Sequence, residues 1–178
     1  SDRAFMTELF VPENSRLAGK TLTEAKLNQV GVTILKIFRA DETITSPSEN
    51  TRLEIGDRLI VHSKSSAMMD LHSSDWIGLQ NQKNANHDIE TLRRKDAVII
   101  EAIVGSNSRY VQRPIRDLDL LARYGIHLIA VHRKDASIGD IVDDFQLQFG
   151  DVLLVEGTHA QIKRFCENGD LFALTEGK

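Results

Sequence analysis

From Met6 to Val11 apolar and polar side chains alternate: Met6, Glu8 and Phe10 fall on one side, Thr7, Leu9 and Val11 on the other. A period of two predicts a half-buried β-strand. AVIIEAIVG, beginning at Ala97, reads as the β-like opening of a second unit. VTILKIFR (32–39) and IHLIAVHR (126–133) are apolar on both faces, as in a central strand. Each is followed by a polar loop and then by a related phrase, LEIGDRLIVH (53–62) in one case and LQFGDVLLVE (147–156) in the other.

The recurrence is systematic. A shift of 94 lays Gly31 over Gly125, Arg39 over Arg133, Gly56 over Gly150 and Asp57 over Asp151. Upstream the shift is 93, with Ser15-Arg16 over Ser108-Arg109 and Leu22 over Ile115, so the second copy carries one extra residue near Leu120-Leu121. SDWIGL (74–79) lies over GDLFAL (169–174) with a shift of 95. This period is too long for a solenoid repeat and predicts two copies of one small domain. We expect domain 1 over 1–79, a linker over 80–96 and domain 2 over 97–178. The linker QNQKNANHDIETLRRK is polar and rich in Asn and Gln.

Helix signals complete each unit. Thr21-Leu-Thr-Glu24 has the form of a capping box, in which hydroxyl and carboxylate satisfy free backbone N–H groups. In copy two Pro114 stands where the first helical residue would be, a place where proline loses nothing. Gly31 and Gly125 are natural residues for ending these helices. A second short helix is expected at SAMMDL and at HAQIKRF, where Thr158 and Gln161 are spaced for another capping box. WIGL and LFAL close the units as strands, and Glu42–Thr45 is a candidate extra strand. The fold class is therefore α+β: two repeated small β-α-β-β-α-β domains with mostly antiparallel sheets, packed as a pseudo-symmetric pair.

Composition narrows the function. Of 178 residues 41% are apolar and 27% charged, and the formal net charge is −4. That balance fits a folded domain and offers no basic stripe for nucleic acid. The single Cys166 excludes an intrachain disulfide and reads as a small apolar filler. No apolar run is long enough to span a bilayer, and no signal sequence is read. SDRAF opens the chain without an initiator methionine, so we expect a piece of a longer protein with Ser1 a cloning remnant.

Chemical motifs are few. GKT at 19–21 resembles the end of a phosphate-binding loop, but Asn14 stands where that loop needs glycine, and copy two has Gln112-Arg113-Pro114 instead. The histidines at 62, 72, 87, 127, 132 and 159 show no metal spacing; His127 and His132, five apart on a strand, should face opposite ways. Asp143-Asp144 and Asp151 lack an EF-hand pattern. No serine sits in a nucleophile elbow. We expect no enzyme activity, no metal and no cofactor. Arg39 and Arg133 each end the strongest strand of their unit, either covering the sheet edge with their stems or offering a planar fork to a ligand or partner. The Gly-Asp of the repeated phrase reads as a turn, with glycine at positive φ and aspartate bonding its own backbone.

The order S-x-L-x-G-K-T-L, V-x-I-L-x-I-x-R, L-x-x-G-D-x-L-I-V resembles the C-terminal domain of regulators of potassium conductance, also called TrkA-C. Copy two carries the likeness in LDLLARYGIHLIAVHR and LQFGDVLLVEG. Tandem copies of that domain occur inserted in bacterial transporters resembling divalent anion:sodium symporters. The resemblance therefore implies a cytosolic regulatory insert of an ion or anion transporter, at the cytoplasmic face of the inner membrane, with ligand-sensing or dimerising roles. Its partners would be the transmembrane domain of the same protein, a small anionic effector, and a second copy or the intrachain pseudo-partner. The alternatives are a purely structural dimerisation scaffold and the C-terminal part of a potassium-uptake system.

Some family members hold a cyclic dinucleotide with a helix arginine and an asparagine opening the next strand. Here Leu121 takes the arginine's place and His127 the asparagine's, while copy one has Thr33 opposite His127. The cation that would pair with phosphate is missing. Arg123, His127 and Arg133, with Arg39 in copy one, are the candidate ligand residues for some other anion.

Overall fold

The computed structural model describes residues 3–73, 96–134 and 145–174. The expected linker before Asp96, the strand WIGL, the pair Asp143-Asp144 and any copy-two partner of Glu42–Thr45 lie outside the described residues. The chain divides into two compact units, Ser1–Asn86 and His87–Lys178. Among the described residues no helix is long and apolar enough to cross a membrane.

Unit one contains strands β1 (Ala4–Phe10), β2 (Thr33–Arg39), β3 (Glu42–Thr45) and β4 (Arg58–Lys64), with helices α1 (Leu22–Ala25) and α2 (Ser65–Ser73). The strands run in the order β3-β2-β4-β1, every pair antiparallel. The alternation in β1 is real: Phe5, Thr7 and Leu9 are buried, as are their cross-strand partners Ser63, Val61 and Leu59. The extra strand falls at Glu42–Thr45, paired to β2.

Unit two repeats the plan with β5 (Ala97–Val104), β6 (His127–His132), β7 (Val152–Thr158) and β8 (Leu171–Leu174), and with α3 (Leu120–Tyr124) and α4 (His159–Cys166). Its order is β6-β7-β5-β8, again antiparallel throughout. Val104, Ile126, Leu147, Leu153 and Leu171 form its core with Ile162 and Phe165 of α4. Leu147 and its counterpart Leu53 are both wholly buried, and each such side chain contributes about 2 kcal/mol.

Both capping boxes form. Glu24 N–H donates to Thr21 Oγ1 at 3.1 Å, and Thr21 N–H to Glu24 Oε1 at 2.9 Å. In unit two Gln161 N–H donates to Thr158 Oγ1 at 3.1 Å, and Thr158 N–H to Gln161 Oε1 at 2.8 Å.

The helix expected from Thr21 to Gly31 is broken. After α1 the chain passes through Lys26 at φ 58°, then makes a 3-10 turn over Leu27–Val30. In unit two the break sits at the equivalent Asp119, at φ 47°, but a 3-10 turn (Ile115–Leu118) precedes it and the α-turn follows. The extra residue explains the swap. Four residues separate Lys26 from Gly31 and five separate Asp119 from Gly125, and the tighter 3-10 form suits the shorter segment. Pro114 accordingly is the extended residue before its 3-10 turn, at φ −60° and ψ 145°, rather than the first helical position.

A second correction concerns the histidines. β2 and β6 each carry a register shift, between Ile34 and Lys36 and between Leu128 and Ala130. The bulge absorbs one residue and restores parity. His127 and His132 therefore lie opposite Glu156 and Val152, which share a face of β7, and so point the same way. No cluster of three metal-ligating side chains occurs among the described residues.

Candidate functional site

Each L-x-x-G-D phrase forms a four-residue turn, closed by Asp57 N–H donating to the Glu54 carbonyl and by Asp151 N–H donating to that of Gln148, both at 3.1 Å. Gly56 and Gly150 take the third position at φ 88° and 89°, where a side chain would be strained. The turn is tied to the first strand: Gly56 N–H donates to the Val11 carbonyl at 2.8 Å and Gly150 N–H to that of Val104 at 3.0 Å.

The aspartates fill these turns. Asp57 Oδ2 accepts the Glu54 N–H at 2.8 Å, and Asp151 Oδ2 the Gln148 N–H at 2.7 Å. Their remaining capacity is taken by the strand-end arginines. Arg39 donates Nε to Asp57 Oδ1 and Nη2 to Oδ2, both at 2.8 Å, and Arg133 repeats this on Asp151 at 2.9 and 2.8 Å. Each Nη2 also donates to a backbone carbonyl, that of Arg52 at 2.7 Å or Gln146 at 2.6 Å. The side chains of Asp57 and Asp151 are 1% and 2% exposed, so the ionised carboxylates are desolvated and matched by a planar fork.

The copies differ at the rim. Arg39 Nη1 pairs with Glu54 Oε2 at 2.6 Å, whereas Arg133 lies over the Phe145 ring at 4.1 Å. Two-point bonding to Asp57 and burial act on Arg39 in opposite senses; the bonding prevails and raises its pKa. The planar fork read from the sequence thus faces an internal carboxylate in both units.

The glycine of GKT is used locally as well. Gly19 N–H donates to the Leu53 carbonyl at 2.7 Å, and Gln112 N–H does the same to Leu147 at 2.6 Å. Gln112 adopts φ 65° where Gly19 has 84°. The amide is spent on a chain crossing that both copies share.

His127 opens β6 and is 4% exposed. Arg123 lies on the surface at the end of α3, where Gly125 caps the helix. Its Nη1 donates to Tyr110 Oη at 2.7 Å, and its guanidinium lies 5.2 Å from the Tyr124 ring centroid. The bond to Tyr110 raises its pKa. Arg164 of α4 lies 5.6 Å from the same ring and donates Nη2 to the Arg123 carbonyl at 3.0 Å. Arg109 lies 5.4 Å from the Tyr110 ring and pairs with Asp170 at 3.0 Å. The candidate residues thus do not form one site: Arg39 and Arg133 hold equivalent turns, while Arg123 joins Arg109, Tyr110, Tyr124 and Arg164. The sequence reading passed over those four. The available signal was copy one, which has Leu17, Val30 and Asp70 in place of Tyr110, Tyr124 and Arg164.

Fold and clamp define a duplicated small α+β domain in which the residues common to both copies are structural. The chain belongs to the TrkA-C domain family, which matches residues 6–74 and 99–168, one copy each. It is 24% identical over 177 residues to an uncharacterized transporter of Synechocystis, covering 97% of this chain and 29% of that protein. It is 27% identical over 155 residues to a probable sodium/sulfate cotransporter 3 of Chlamydomonas reinhardtii, covering 86% of this chain and 17% of that one. The chain thus spans less than a third of these relatives. Among solved structures it is similar to the RCK_C domain dimer of S. agalactiae BusR in complex with c-di-AMP, at 25% identity, TM-score 0.35, and coverage of 41% of this chain and 95% of that one. BusR in complex with its busAB-promotor DNA matches at 26% identity and TM-score 0.35, over 38% of this chain and 33% of that one.

Proposed function

We propose that this pair of TrkA-C domains is the cytosolic regulatory part of a membrane ion or anion transporter. The observation that carries the reading is coextensive similarity. Both copies, with the segment between them, align as one block with transporters, a sodium/sulfate cotransporter among them. The clamp residues Arg39, Asp57, Arg133 and Asp151 are consumed in holding turns. Such a domain acts by changing its arrangement rather than by chemistry. A ligand or partner that favours one arrangement shifts the equilibrium by its difference in affinity, and the membrane body must respond reciprocally.

Hydrogen exchange of the whole transporter tests this. Adding the transported ion should change amide protection within the pair as well as in the membrane body. Protection unchanged throughout the pair, with the ion demonstrably bound, contradicts the coupling.

A further inference from the structure

The two copies serve as controls for each other. What they share builds the fold: the clamps, the turn glycines and the buried leucines. What only one has is free to specialise. One such difference is the ladder of unit two, in which Arg109 lies against Tyr110, Tyr110 accepts from Arg123, and Arg123 and Arg164 share the ring of Tyr124.

Three guanidiniums are thereby gathered in a chain of net charge −4. Asp170 neutralises Arg109. For Arg123 and Arg164 no carboxylate among the described residues forms an ion pair; Asp119 acts on Arg123 only at longer range. Like charges held together repel, and Arg123 indeed opposes the charge on Arg109. Copy one avoids the arrangement, with Gln29 opposite Arg123 and Asp70 opposite Arg164.

The Tyr124 ring with the Tyr110 hydroxyl fixes the Arg123 fork, and the same ring with the Arg123 carbonyl fixes that of Arg164, leaving Nε of each, Arg123 Nη2 and Arg164 Nη1 without a partner among the described residues. Both side chains belong to exposed residues. Preordered guanidinium donors suit the oxygens of a phosphate or sulfate group.

We propose that Arg123 and Arg164, ordered by Tyr110 and Tyr124, form an oxyanion-binding site for a phosphate- or sulfate-bearing ligand, present in unit two alone. The proposal stands apart from the transporter reading and is tested on this chain itself. Sodium sulfate and sodium phosphate are titrated at constant ionic strength with chloride as balance, following backbone amide and arginine Nε–H resonances. The expected result is saturable change at Arg109–Tyr110, Arg123–Tyr124 and Arg164, with copy-one residues Leu17, Gln29 and Asp70 unmoved. Arg164→Gln and Arg123→Gln should each weaken binding about tenfold, and exposed Lys163→Gln should leave it unchanged. Vesicles of phosphatidylglycerol form a separate arm. Capture by them without response to either soluble anion overturns the proposal in favour of a membrane contact. Absence of saturation, or full affinity in the Arg123→Gln and Arg164→Gln double variant, overturns it outright.

Discussion

Arg39 and Asp57 meet fork to fork, with two hydrogen bonds of 2.8 Å, and Arg133 and Asp151 repeat the contact with bonds of 2.9 and 2.8 Å. In each unit the aspartate stoppers its own turn and the arginine stoppers the aspartate. The pair joins the end of β2 to the start of β4 in unit one, and the end of β6 to the start of β7 in unit two. Removing one partner leaves the other desolvated, which is why the cost exceeds that of a surface ion pair.

Asp57→Asn and Asp151→Asn should each destabilise their unit by about 2–4 kcal/mol, the partial exposure of the arginines keeping the loss below that of a fully buried pair. Urea unfolding of the two variants measures this. Values near those of surface substitutions would show that the clamp adds little.

Gly56→Ala and Gly150→Ala separate backbone strain from crowding. An added Cβ at either position meets nothing within 4 Å, yet φ is 88° and 89°. The expected loss is about 1–2 kcal/mol from conformation alone. Gly105→Ala should fail differently, because its Cβ would lie 2.7 Å from Phe172 Cε2 and 3.2 Å from the Gly169 carbonyl oxygen. The Phe172 ring can swing into solvent, but the backbone oxygen must move. Thermal melts together with a structure of each variant distinguish the two modes.

The two capping boxes differ in charge, and that gives a pH test. Hydrogen bonds from the backbone and side chain of Thr21 hold the Glu24 carboxylate below its ordinary value of 4.5. A folded pKa below the unfolded one means stability that is present above 4.5 and lost as pH falls through the folded value. Gln161 in the second box does not ionise. Acidification should therefore loosen the amides of Leu22–Ala25 while the start of α4 keeps its protection, relative to intrinsic exchange. Equal loosening at both sites would contradict the linkage.

Much of this was legible because the chain states its plan twice. Thr21 with Glu24 and Thr158 with Gln161 mark helix starts by local spacing, and both form as read. The repeated Gly-Asp was legible as a turn. Its partner arginine was not, although Arg39 and Arg133 recur at the same shift as the aspartates. The members of each pair stand 18 positions apart, and nothing local states that a strand end must fold back on a turn. The helix break at Lys26 and Asp119 was hidden for another reason: lysine at positive φ has no sequence signature, and only the surrounding fold imposes it. The bulges at Leu35 and Ile129 were equally silent, since both are apolar residues within apolar strands, and they reversed the expected facing of His127 and His132. Arg164 was missed because a basic residue late in a short helix reads as ordinary dipole compensation. Its copy-one counterpart, Asp70, was the sign that something else is selected there.

The most direct measurement takes the full-length protein proposed above to be a transporter and compares its ion uptake with and without the 178-residue pair, at equal membrane levels, while the cytosolic sulfate and phosphate concentrations are varied. If the pair regulates, uptake persists without it but no longer follows the cytosolic anion. Uptake that depends on the cytosolic anion identically with and without the pair would contradict a regulatory role.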